Sequence, residues 1–147
     1  MASIDYEKLV QAIGDAVVVV DVSGVIVTWN AAATRIFGYT EAEALGRSLD
    51  LIIPERQRDR HWEGYMKTVS SGTTRYGSSV LRVPALHRDG AALSIAFTVA
   101  LLYKDSGQVD AIAAVIRDET TRFAEERALR KRLTELETKL AVGASTP

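Results

Sequence analysis

A continuous apolar run of strand length occupies residues 16–21, AVVVVD, and its valines favour a buried strand. Ser23-Gly24 is a turn pair, and residues 25–29 return as the second strand of a hairpin. The clearest alternation comes later in the chain. Leu93, Ile95, Phe97, Val99 and Leu101 share one face of a strand over 91–103, with Ser94, Ala96, Thr98 and Ala100 on the other. Arg88-Asp89-Gly90 turns into it from a strand over 76–85, and Asp105-Ser106-Gly107 turns out of it into a strand over 108–117.

Helical spacing fills the intervals. Residues 3–13 predict a short amphipathic helix capped by Ser3, with Leu9, Val10 and Ile13 on its apolar side. Asn30 caps a helix over 31–37 that Gly38 ends, and Thr40 with Glu43 forms a capping box for a short helix closed at Gly46. After the apolar stretch Leu51-Ile52-Ile53-Pro54, residues 55–71 form a longer helix ended by Gly72, with Trp62, Tyr65, Met66 and Val69 as its apolar stripe. Residues 118–120 lead into a charged helix over 121–141.

The predicted fold class is α+β: a hairpin and a three-stranded meander forming one five-stranded antiparallel sheet, with helices over one face. A ligand in such a fold sits between the layers. The expected divisions are a cap helix within 1–14, a domain over 15–120, an amphipathic output helix over 121–142 and a disordered tail over 143–147.

Composition adds exclusions. The 147 residues suit one domain, with 47% hydrophobic and 25% charged residues as in ordinary globular proteins. A net charge of -1 gives no footprint for nucleic acid. The apolar runs are too short to span a bilayer, and Asp5, Glu7 and Lys8 stand where a signal peptide needs an apolar stretch. No membrane contact and a cytoplasmic location are therefore expected. The absence of cysteine excludes disulfides, thiolate metal sites and cysteine nucleophiles.

The segment DAVVVVDVSGVIVTWNAAATRIFGYTEAEALGRSL, the RDG turn and IRDET after the last strand resemble the PAS family in content, order and spacing. That resemblance covers roughly residues 5–120 and implies a PAS fold, with 15–120 as the sensory domain. It also implies a choice of cofactor. The flavin-binding LOV branch and photoactive-yellow-protein chromophores both use a cysteine, so the cysteine-free chain argues against flavin and cysteine-linked chromophores.

IIPERQRDRHWEGYM is similar to the haem-PAS segment of rhizobial oxygen-sensor histidine kinases. By that resemblance His61 is the proximal ligand of haem b. Tyr65, Leu81 and Ile95 line the cofactor site, Phe97 and Val99 take the gas-binding side, and Arg75 pairs with a propionate. Two departures stand out. Leu81 occupies the place where those sensors carry a gas-binding arginine, with Arg82 one residue away and so on the opposite strand face. The spacing after His61 is also one residue longer. The alternatives are a helix-flank histidine in a haem-free domain, with Trp62, Tyr65 and Met66 as core packing, Trp29 as core or pocket wall, Arg56, Arg58 and Arg60 as a solvated helix start, and His87 as a solvated turn residue.

Leu129, Leu133, Leu136 and Leu140 recur at spacings of 4, 3 and 4, a heptad seam of about two repeats. It predicts a homodimer through a parallel coiled coil feeding an unidentified downstream partner; the alternative is a helix folded back on its own sheet. The chain is then either part of a longer protein or a stand-alone PAS protein. The leading expectation is a sensory module that binds a small ligand. Its rival is a protein-interaction module with a side-chain-filled or other-ligand pocket. An enzyme is disfavoured: no Ser-His-Asp set, metal cluster or phosphate loop is evident.

Overall fold

In a computed structural model that describes residues 2–145, the elements run in the expected order. They are α1 (Tyr6–Ala12), β1 (Ala16–Asp21), β2 (Ile26–Trp29), α2 (Ala31–Phe37), α3 (Glu41–Ala44), α4 (Arg58–Ser71), β3 (Leu81–Leu86), β4 (Ala92–Tyr103), β5 (Val109–Asp118) and α5 (Thr120–Ser145). Short 3-10 helices at Leu49–Ile52 and Glu55–Gln57 precede α4. The five strands form one antiparallel sheet in the order β2-β1-β5-β4-β3. The hairpin and the meander are joined by β1 against β5, with Val18 opposite Ala114.

That register decides the core. Ala16, Val18 and Val20 of β1, Ile112, Ala114 and Ile116 of β5, and Leu93, Ile95 and Phe97 of β4 belong to one cluster with Ile52, Ile53 and Tyr65 from the helical layer. Trp29 and Phe37 are fully buried in it, with ring centroids 5.6 Å apart. Each contributes about 1.5–3 kcal/mol by burial.

The cap chemistry behaves as its residues dictate. Asn30 caps α2, Gly38 ends it at φ 87, and Thr40 and Glu43 make a reciprocal capping box on α3. Several boundaries differ from expectation. α1 starts at Tyr6 because Asp5, and not Ser3, accepts from the Lys8 amide. β3 starts at Leu81, five residues later than predicted, because Gly77 takes φ +55 and residues 75–78 form turns. Residues 55–57 wind as a 3-10 turn, so α4 proper begins at Arg58. Met66 was placed on the apolar stripe of α4 but is 57% exposed. α5 continues through Ser145, including Gly143, where a disordered tail was expected; Thr146 and Pro147 lie outside the described residues. No helix among the described residues is long and apolar enough to cross a membrane.

Candidate functional site

α4 lies over the β1–β2 hairpin, held there by side chains one turn apart. The Trp62 indole N–H donates to Asp50 Oδ1 at 2.7 Å, and its ring covers Gly24, where a Cβ would fall 2.6 Å from the ring. The Tyr65 hydroxyl donates to the Asp21 carbonyl. Burial, with the Asp21 carboxylate nearby, pushes the Tyr65 phenol up to about 12, so it stays a donor at neutral pH. Arg58 is not a free solvated residue: its guanidinium donates to the Ile53 and Asp50 carbonyls at 3.1 and 3.3 Å.

His61 sits in this aromatic group, 4.6 Å from the Trp62 ring centroid in an edge-on arrangement and 6.0 Å from that of Tyr65. Its Nδ1 is buried without a hydrogen-bond partner, the one such side-chain atom among the described residues. A buried polar group left unpaired costs about 1–3 kcal/mol. Burial holds the His61 pKa below the ordinary imidazole value, with the Asp50 charge opposing in part. The ring is therefore neutral at pH 7, the form that binds a metal.

The other expected site residues divide. Tyr65, Ile95 and Phe97 belong to one core cluster. Leu81 pairs directly with Phe97, and Val99 lies two residues along the same face of β4, so both share that side of the sheet. Arg82 falls on the opposite face of β3, as the period of two requires. Arg75 is not brought to the site. It lies in the turn before β3, donates to the Tyr76 hydroxyl at 2.7 Å and stacks over that ring. His87, expected to be solvated, packs its ring on Gly38, where a Cβ would lie 2.7 Å away. For haem, the residues therefore supply a neutral donor and an apolar wall, and no placed arginine for a propionate.

A second linkage joins the sheet to α5. Asp118 Oδ1 accepts from the Thr120 amide at 2.9 Å, and Thr120 Oγ1 accepts from the Ser94 amide at 3.0 Å. The Glu119 amide donates to the Ser94 carbonyl at 2.8 Å. Ser94 adjoins Ile95, so the strand that walls the site is bonded to the first turn of α5. Sequence reasoning placed residues 118–120 at the entry to the helix but missed the roles of Ser94, Asp50 and Gly24, which exist only across the fold.

The sheet order, the helical layer beside it and the emerging C-terminal helix define a PAS domain. The chain belongs to the PAS family, whose model, described as the PAS fold, matches residues 4–118. It is 35% identical over 118 residues to an uncharacterized protein of Azorhizobium caulinodans, covering 80% of this chain and 16% of that one. It is 29% identical over 134 residues to sensor protein FixL of Bradyrhizobium diazoefficiens, covering 90% of this chain and 25% of FixL. The chain thus spans a quarter or less of these two relatives. A crystal structure of a PAS domain from Colwellia psychrerythraea superposes with TM-score 0.69 at 22% identity, covering 79% of this chain and 95% of that one. PAS domains are generally sensory modules, and this chain is a PAS domain.

Proposed function

We propose that the domain senses a small ligand held between α4 and strands β3–β5, and signals by dimerisation of α5. The observation that carries this reading is the neutral His61 imidazole, whose buried Nδ1 has no partner. An incoming group that bonds this ring would offset the cost of leaving it unpaired. The Ser94–Thr120 bond offers a route from β4 to α5. Similarity to a sensor protein, FixL, supports the sensory part of the reading.

Haem b is the ligand we name. His61 would hold the iron, with Tyr65, Leu81, Ile95, Phe97 and Val99 as the apolar wall. Bound haem would supply an iron that takes up a gas. Leu81 would offer a bound gas no hydrogen-bond donor, so apolar packing would do the discriminating. The test is an absorption spectrum of protein expressed with haem supplied: a Soret band that His61→Ala abolishes is expected. A colourless protein that takes up no haem overturns the haem assignment.

A second reading, a haem-free interaction and dimerisation module, is favoured by a different observation. Trp29 and Phe37 are fully buried, and Trp62 and Tyr65 pack with centroids 5.1 Å apart beside His61. Side chains then fill the layer, and His61→Ala would leave both the spectrum and the dimer unchanged.

A further inference from the structure

We infer that Pro84 guards the open edge of the sheet: its ring and its missing N–H keep β3 from pairing with a strand of another molecule. This reading is independent of the ligand and of α5.

The order β2-β1-β5-β4-β3 leaves two edge strands, and the fold treats them differently. At β2 the chain covers its own edge. The Ile26 amide donates to the Arg47 carbonyl and the Ile26 carbonyl accepts from the Gly46 amide, both at 2.9 Å, and Val25 bridges to Ser48. Among the described residues β3 pairs with β4 alone, so its other side is open.

The register shows which backbone groups face that side. Pro84 lies opposite Ser94. Both backbone groups of Ser94 turn away from β3: its amide donates to Thr120 Oγ1 at 3.0 Å, and its carbonyl accepts from the Glu119 amide at 2.8 Å. Opposed residues of an antiparallel pair exchange two bonds or none, so Pro84 exchanges none with Ser94 and faces outward. The same alternation turns Arg82 and Leu86 outward. The open row therefore offers the Arg82 and Leu86 amides and the carbonyls of Arg82, Pro84 and Leu86, over about 13 Å. Its middle donor is missing. The Pro84 ring stands where an incoming strand would bring a carbonyl.

Position 84 is also one where proline leaves the sheet intact. At Val83 or Ala85, whose backbone groups face β4, it would remove a bond of the ladder. Near the middle of a six-residue strand, it interrupts any register that uses the whole edge. The segment around it has reason to be guarded. From Val80 to Leu86 the only charge is Arg82, and Val80 and Val83 are 50% and 38% exposed. An apolar edge strand of this kind pairs readily with others unless a proline or a charge interrupts it.

The test uses the full chain. Pro84→Val restores the donor without changing charge. Pro84→Ala does so with a weaker strand preference, and so keeps the test open should the first variant fold poorly. At a concentration where the wild type sediments as one species, each folded variant should reach at least about double that mass. Amide hydrogen exchange locates the new contact: the Arg82 and Leu86 amides should slow at least about tenfold on association. Moving the proline along the same outward row, as Pro84→Val with Leu86→Pro, should return the wild-type mass. Folded variants that keep the wild-type mass overturn the inference. So does association that leaves the Arg82 and Leu86 amides exchanging as before, or that survives the added Leu86→Pro change.

Discussion

Asn30 is expected to be one of the most costly polar positions in the domain to change. Its side chain is fully buried and makes four short hydrogen bonds. Oδ1 accepts from the Val17 and Ala33 amides at 2.9 and 3.0 Å, while Nδ2 donates to the Val10 and Asp15 carbonyls at 2.9 and 3.1 Å. One amide group thus closes the start of α2, the edge of β1 and the end of α1. If Asn30 were only a helix cap, Asn30→Ala would cost about 1 kcal/mol. The Ala33 amide is that cap bond; leaving the buried Val17 amide without an acceptor adds about 1–3 kcal/mol. The expected loss is therefore about 2–4 kcal/mol, a large share of a typical domain's stability. Urea denaturation reads it as a midpoint lowered by about 2 M at unchanged slope. Asn30→Asp sharpens the test, because aspartate caps a helix as well as asparagine does. It keeps the acceptor but turns a carboxylate oxygen toward two carbonyls, so it should cost nearly as much as alanine. A loss near 1 kcal/mol for alanine, together with a neutral aspartate variant, would refute the three-element role.

Two other predictions concern α4. Gly24→Ala and Gly46→Ala both place a Cβ at a positive φ, +85 and +83, but only the former meets an obstacle, the Trp62 ring at 2.6 Å. Both should lose about 1–2 kcal/mol from the backbone, and Gly24→Ala should lose more and shift the tryptophan emission; equal losses and unchanged emission would remove Trp62 from that contact. His61 should make stability fall as pH drops below about 6.5, because the unfolded ring takes up a proton there while the buried one resists it. Its contribution is full above the unfolded pKa and is lost as pH falls toward the folded one, at no more than about 1.4 kcal/mol per pH unit. Glu43 and Asp89, both held low chiefly by backbone hydrogen bonds, act in the carboxylate range and below, so the window from about pH 5 to 6.5 is clear of them and comparison with His61→Gln there reads the His61 contribution. An identical pH slope in His61→Gln would show that the imidazole is not buried in this way.

Much of the fold is legible in the sequence because its signals are local. The valine run places β1 at its observed limits, and the alternation of Leu93 to Leu101 places β4 within a residue of its start. Asn30, Gly38 and the Thr40–Glu43 pair act on atoms within about a turn of helix, so their spacing suffices to place them. The start of β3 is less legible: Arg75-Tyr76 has strand-forming character, and the glycine at 77 turns the chain away from the sheet. The candidate site was legible in part. Tyr65, Ile95 and Phe97 do share one core, which helix and strand periods predict. Arg75 misled because charge type says nothing about where a turn will carry it.

What the sequence determined by itself is the set of elements, their caps and turns, the PAS resemblance and the leucine stripe of α5, all of which depend on neighbours a few residues apart. The tertiary structure decided what long-range closure brings together. It paired β1 with β5, reached from Asn30 back to the end of α1, set Trp62 on Gly24 and tied Ser94 to Thr120. It also left one nitrogen of His61 buried without a partner. No periodicity carries such contacts: hydrogen-bond satisfaction and close packing depend on atoms from distant segments, which meet only when the sheet has formed.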